Sequence, residues 1–179
     1  MNERKSETRQ RIIAAAGRVL AERGPSDPAV AEVMAAAGLT VGGFYAHFAS
    51  KDALMLEAFR QLLELRREHL AECDQHLSGR ERRVLLAAFY LSRRHRDDAE
   101  DRCPLPSSLA EISRLSAGFR QSLAEHTELM AAHMSAKPEE ADVALADLAL
   151  MIGGLALARA LGPGELSDRV LRAAKAAVV

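Results

Sequence analysis

The chain has 179 residues, 49% of them hydrophobic and 27% charged; that suffices for one domain of ordinary size, or a small module on a larger one, with a core that needs no covalent staples. Its two cysteines exclude a disulfide framework, and neither a run of about 18 apolar residues nor a signal-type apolar region behind "MNERKSETRQR" is found, so a cytoplasmic protein with no membrane span is expected. The formal net charge of -1 excludes a protein that coats nucleic acid by bulk charge, yet Arg4, Lys5, Arg9, Arg11 and Arg18 face only Glu3 and Glu7 while acids outnumber bases beyond Pro104, which points to a local anionic partner.

Almost every segment reads as helix, because apolar positions recur at spacings of three and four and no alternating β-branched run occurs. The first helix is expected from Ser6 to Arg23, with Ile12, Ala16, Val19 and Leu20 inward and Arg4, Arg11 and Arg18 repeating along another face; Gly24 and Pro25 end it. Asp27 is expected to cap the second helix, with Pro28 in its first turn, Val30, Val33 and Met34 buried, and Gly38 as its left-handed stop. Thr40 then caps a short third helix, Val41 to Phe48, and Ser50 a much longer fourth that runs to about Leu77. Beyond Ser78 to Arg80, "RVLLAAFYLS" is apolar on nearly all sides and is expected at the centre of a second region. "RRHRDDAEDR" reads as a solvated helix end and loop. After the break at "CPLPSS", helices are expected over Leu109 to Ser135, Pro138 to Leu161 and Glu165 to Val178, the last two parted by Gly162, Pro163 and Gly164. The expected architecture is all-α with about nine helices, residues 1–50 forming a three-helix head and residues 51–179 a helical bundle.

Two short helices joined by "AAGLT" have the dimensions of a helix-turn-helix, whose second helix enters the DNA major groove. Gly42 and Gly43 lie inside that second helix, where each costs roughly 1 kcal/mol relative to alanine, so the stretch needs a use that offsets them. "AAAGLTVGGFYAHFASKDAL" resembles the signature of the TetR family of bacterial repressors. Ala37, Gly38, Thr40, Gly42, Tyr45, His47, Phe48, Ser50, Lys51 and Leu54 fall into its order, and the likeness covers about Ser6 to Leu54. The resemblance implies that Thr40, Tyr45, His47 and Lys51 contact phosphates, that Val41, Gly42, Gly43 and Ala46 face base edges, and that Phe44 and Phe48 pin the helix to its core. Lys51 also stands at the positive end of the fourth helix, a phosphate site on physical grounds alone, and the absent Cβ atoms of Gly42 and Gly43 let backbone lie against DNA. Two departures matter. Ala29 stands where the family often has a phosphate-binding threonine or serine, and no Arg, Asn or Gln faces the groove. Thymine methyls against Val41 and Ala46, together with DNA shape, are therefore expected to carry the sequence reading.

A ligand in the second region that swings the long fourth helix would alter the spacing of two reading heads, and the resemblance implies an inducer of unknown identity acting in this way. Its pocket is expected among Leu62, Leu65, His69, Leu86, Phe89, Tyr90, Leu105, Leu109, Phe119, Leu123, His126 and Met130. Cys103, beside Arg102 and with Arg96 a few residues upstream, is a candidate oxidant or electrophile sensor whose thiolate those cations would favour. A twofold protein reads a palindrome, so a homodimer is expected through the last two helices, with Leu145, Leu148, Ile152, Leu155, Ala156, Leu166 and Val170 at the interface and Gly153 and Gly154 allowing close approach. His69, Cys73 and His76 share one helix face, with His126 or His133 within reach of a fourth ligand position; the spacing permits a metal but reads as the polar edge of a core helix, and no metal or cofactor is expected. No nucleophile with its base and no paired carboxylates suggest an enzyme. The leading expectation is a homodimeric, ligand-responsive repressor that binds a double-stranded DNA operator. The alternative is a helical interaction protein that has lost sequence-specific DNA binding.

Overall fold

The structure is a computed structural model that describes residues 3–71, 76–100 and 102–178, the side chains of 69–71 excepted. Among the described residues it is all-α: α1 (Glu3–Arg23), α2 (Val30–Ala36), a 3-10 helix (Val41–Ala46), α3 (Lys51–Ala71), α4 (Gly79–Tyr90), α5 (Arg93–Asp97), α6 (Leu105–Ile112), α7 (Ala117–Met134), a second 3-10 helix (Pro138–Glu140), α8 (Ala141–Leu161) and α9 (Glu165–Ala176). They form two compact units. The first comprises Met1–Glu64 and Cys103–Ser122, the second Leu65–Arg102 and Leu123–Val179, so the divisions fall inside α3 and α7.

In the first unit α1 packs on α2 and α6. Ile12, Ala16 and Leu20 of α1, Val33 and Met34 of α2, Phe44, Phe48, and Leu54, Met55 and Phe59 of α3 are buried together with Phe119 of α7, whose ring lies 5.5 Å from that of Phe59. Gly38 stops α2 in the left-handed region with φ +68°, and Arg11 Nη2 donates to the end carbonyl of Ala37 at 2.7 Å. Ser50 Oγ accepts from the Ala53 N–H at 3.1 Å and caps α3 as expected. Two expected caps are corrected. The residue before α2 is Ala29, with no side-chain cap, because Asp27 is drawn to Arg23 in an ion pair at 3.0 Å. Thr40 makes no side-chain cap, and the third helix is a six-residue 3-10 helix that ends at Ala46 rather than an α-helix to Phe48. So short a segment, carrying two glycines, closes tight turns more readily than it nucleates α-helix.

In the second unit α8 packs against α4, α5 and α9, burying Ala144, Leu148, Met151, Leu155 and Ala158. Gly154 is needed here: a Cβ on it would stand 2.9 Å from the Ala174 Cβ and 3.2 Å from Leu91, so its small size serves packing within the unit, whereas Gly153 faces open space. By length and composition the helical segment Pro138–Leu161 would also suffice to cross a membrane, a property that the core helix of a soluble protein shares. Three sequence expectations are corrected in the rest of the chain. Far from being central, α4 turns Gly79, Arg83 and Ala87 inward and leaves Leu85 and Phe89 about half exposed, at 53% and 50%. The buried Arg83 is matched by acids remote in sequence: its Nε lies 3.1 Å from Asp147 Oδ2, and its Nη1 reaches Glu140 at 3.4 Å and the Met134 carbonyl at 3.2 Å. The charged segment after Arg93 is not merely solvated, since α5 buries His95 and Arg96; Arg96 pairs with Asp97 at 2.7 Å and with Asp168 at 2.8 Å. Residues 109–135 hold parts of two helices, because the Arg114 N–H turns back to the Glu111 carbonyl at 2.8 Å and the Leu115 N–H to that of Ile112 at 3.2 Å, tightening and ending α6.

Candidate nucleic-acid interface

The 3-10 helix Val41–Ala46 is anchored from one side only. Phe44 inserts into the first unit beside Phe48, with ring centroids 5.9 Å apart, and the Arg9 guanidinium lies 4.7 Å over the Phe48 ring while also pairing with Glu57 of α3. This clamp of α1 on α3 escapes sequence reading, since nothing in the spacing of Arg9 and Glu57 announces it. With Phe44 inward, the remaining side chains of the segment are outward. Thr40, Val41, Gly42, Gly43, Tyr45 and Ala46 are all exposed, Tyr45 to 77%.

The glycines are informative. Neither Gly42 nor Gly43 has a positive φ, and a Cβ built on either would meet nothing within 4 Å. Neither backbone geometry nor packing within the chain therefore calls for glycine at these positions. His47, just after the segment, is half-buried; its Nδ1 is enclosed with no hydrogen-bond partner, so the polar edge it offers outward is Nε2. Lys51 opens α3, and its Nζ donates to the Ser26 carbonyl at 2.6 Å. Ser26 in turn donates its N–H to Glu111 Oε2 of α6 at 3.0 Å. The structure thus brings Thr40, Val41, Gly42, Gly43, Tyr45, Ala46, His47 and Lys51 into one consecutive surface element. Arg11, one of the basic stripe on α1, is engaged by the Ala37 carbonyl, while Arg4 and Arg18 are exposed.

The expected ligand-pocket residues are distributed over both units. In the first, Leu105 and Phe119 are buried, Leu62 is half-buried and Leu109 exposed; in the second, His126 and Met130 are buried, Leu86, Tyr90 and Leu123 half-buried, and Leu65 and Phe89 exposed. The side chain of His69, and Cys73, lie outside the described residues. Cys103 is buried just before α6, and the Arg96 guanidinium expected to assist it is taken by Asp97, Asp168 and Ser167. Among the expected interface residues, Leu148 and Leu155 are buried within the chain itself. Leu145 and Leu166 are exposed, Ile152, Ala156 and Val170 half-buried, and Val143, Leu157 and Leu161, which sequence reading passed over, add to the exposed apolar surface of α8.

A sequence model of the family described as "Bacterial regulatory proteins, tetR family" matches residues 12–58, the span from the core of α1 through the exposed segment into α3. Over that span the chain is similar to the TetR family. A relative from Bacillus subtilis (strain 168), described as the uncharacterized HTH-type transcriptional regulator YerO, is 30% identical over 102 residues. That match covers 54% of this chain and 34% of the relative, so the chain spans about a third of that curated protein. E. coli NemR in its reduced form has a similar structure, with a TM-score of 0.79 and 20% identity over 97% of each chain. A TetR-family transcriptional regulator from Agrobacterium tumefaciens is similar at a TM-score of 0.78 and 16% identity, covering 98% of this chain and 99% of that one. At such identities these structures establish a shared TetR fold.

Proposed function

We propose that the chain is a cytoplasmic transcriptional repressor that binds a palindromic operator as a homodimer and is released by a small-molecule or electrophile inducer, without enzymatic activity. Residues 1–50 read the DNA, with Thr40, Tyr45, His47 and Lys51 on phosphates and Val41, Gly42, Gly43 and Ala46 against base edges; residues 51–179 supply the ligand response and the second-copy contact. The observation that carries this reading is the open space around Gly42 and Gly43. Two helix-disfavouring residues that the chain itself has no use for, set between the exposed Tyr45 and Val41, fit an external backbone that must come close. Exposed leucines on α8 and α9 support the dimer, because a monomer that left them in water would forgo their burial. The match of residues 12–58 to a family of bacterial regulatory proteins supports the repressor reading.

The test is fluorescence anisotropy with the DNA immediately upstream of the gene for this protein. Wild type is expected to bind a palindromic segment. Tyr45→Ala with Lys51→Ala should lose that binding, and Gly43→Ala should weaken it roughly tenfold or more while the fold becomes slightly more heat-resistant. Unchanged affinity for Gly43→Ala, or tight binding by the double variant, would remove the basis of the assignment.

A further inference from the structure

We propose that Glu111 of α6 is a positioning residue for DNA binding: through the Ser26 peptide it fixes where the Lys51 ammonium stands. The inference rests on the reading of Lys51 as a phosphate contact. Ser26 lies in the turn between α1 and α2, and its two backbone groups are used in opposite directions, N–H to Glu111 Oε2 at 3.0 Å and carbonyl to Lys51 Nζ at 2.6 Å. A single peptide residue thus stands between an acid of α6 and a cation of the DNA-reading surface.

The turn is held against α6 by more than this one bond. The Ser107 hydroxyl of α6, 2.9 Å from the Pro104 carbonyl at the start of its own helix, also lies 3.2 Å from the Leu20 carbonyl and 3.1 Å from that of Ala21 in the last turn of α1. At Gly24, φ is +85° and a Cβ would come within 2.8 Å of the Ser107 carbonyl oxygen, so the two backbones meet with no room for a side chain. Asp27, one residue past Ser26, is pinned to Arg23. Turn and α6 therefore move as one piece.

Lys51 has three N–H donors on a flexible four-carbon stem. Spending one on the Ser26 carbonyl fixes the head group and leaves two for a phosphate oxygen. Without Glu111 the Ser26 N–H loses its acceptor, the turn loosens, and the ammonium is no longer prepositioned. Whatever displaces α6 by more than a hydrogen bond tolerates reaches Lys51 by the same route, which gives the ligand response a defined end point in the head.

The sign of the effect separates positioning from plain charge. Deleting an acid near a DNA-binding surface should tighten binding by electrostatics alone; loss of positioning should weaken it. The experiment measures anisotropy of a labelled duplex of generic sequence across a salt series, with the full chain as wild type, Glu111→Ala, Glu111→Asp, Glu111→Gln, Lys51→Ala and the double variant Glu111→Ala with Lys51→Ala, each checked by thermal melting. Lys51→Ala should weaken binding several-fold and lower the salt slope by about one. Glu111→Ala should weaken binding roughly fivefold and add nothing in the Lys51→Ala background. Glu111→Asp keeps the charge but loses reach and should also weaken binding, which decides the matter if the alanine variant melts; Glu111→Gln keeps the acceptor oxygen and should bind like wild type. If Lys51→Ala weakens binding while Glu111→Ala and Glu111→Asp bind as tightly as wild type or tighter, the relay is wrong and the phosphate reading stands. If Lys51→Ala itself binds like wild type, the phosphate reading fails and the relay with it.

Discussion

His126 on α7 is enclosed to 2% exposure, with Arg67 Nη1 3.4 Å from its Nδ1. Burial first, and the Arg67 charge second, hold its pKa down at about 4. An unfolded histidine takes up its proton near pH 6.5, so between roughly pH 6.5 and 4 the unfolded chain binds more protons than the folded one. Stability is therefore full above that window and is lost as the pH falls through it, by about 3 kcal/mol in all. Urea midpoints measured from pH 7 to pH 4.5 should fall more steeply for wild type than for His126→Gln; parallel curves would assign the acid sensitivity elsewhere. Single residues differ in how much of their role a sequence displays. Gly38 and Ser50 announce theirs, since a left-handed stop and a helix cap are fixed by a few local atoms. Lys51 shows its charge and its place at a helix start, but its attachment to Ser26 depends on how the chain folds back.

Elements divide along the same physical line. α1, α2 and α3 were legible because apolar spacing, a breaker and a capping serine all act within a turn or two. The inward face of α4 was not, because a buried arginine looks like a solvated one until its counter-ion is known, and Asp147 arrives from α8. The same holds for α5, where Arg96 is satisfied by Asp168 of α9. These buried pairs make a specific demand on the second unit. Removing only the acid of the Arg83–Asp147 pair, whose side chains are 6% and 4% exposed, takes the nearer carboxylate from a buried guanidinium and leaves it Glu140 at 3.4 Å. Asp147→Ala should therefore destabilise by about 3–5 kcal/mol, read from the urea midpoint, whereas Arg83→Met with Asp147→Leu should recover most of the loss. A loss below about 1 kcal/mol for Asp147→Ala would mean that Glu140 alone neutralises Arg83.

For the whole molecule the open question is association. Leu157 on α8 and Leu166 on α9 are 52% and 57% exposed, and substituting arginine at both places charge on that surface without touching the buried side of either helix. If the proposed homodimer uses this surface, the doubly substituted protein should keep its helicity, sediment as a monomer and bind a palindromic site roughly 100-fold more weakly or worse, because two linked heads would give way to one. Dimers that persist would put the contact on a different face. The exposed glycines also set the chain's fitness for heat against its fitness for DNA. Alanine at position 42 or 43 has room to fit and stiffens the unfolded chain less at liberty than glycine leaves it, so a selection for thermal survival alone should enrich alanine at both positions. On the function proposed above, its winners would be robust proteins that no longer hold DNA, and a ranking by stability would discard the trait those glycines serve.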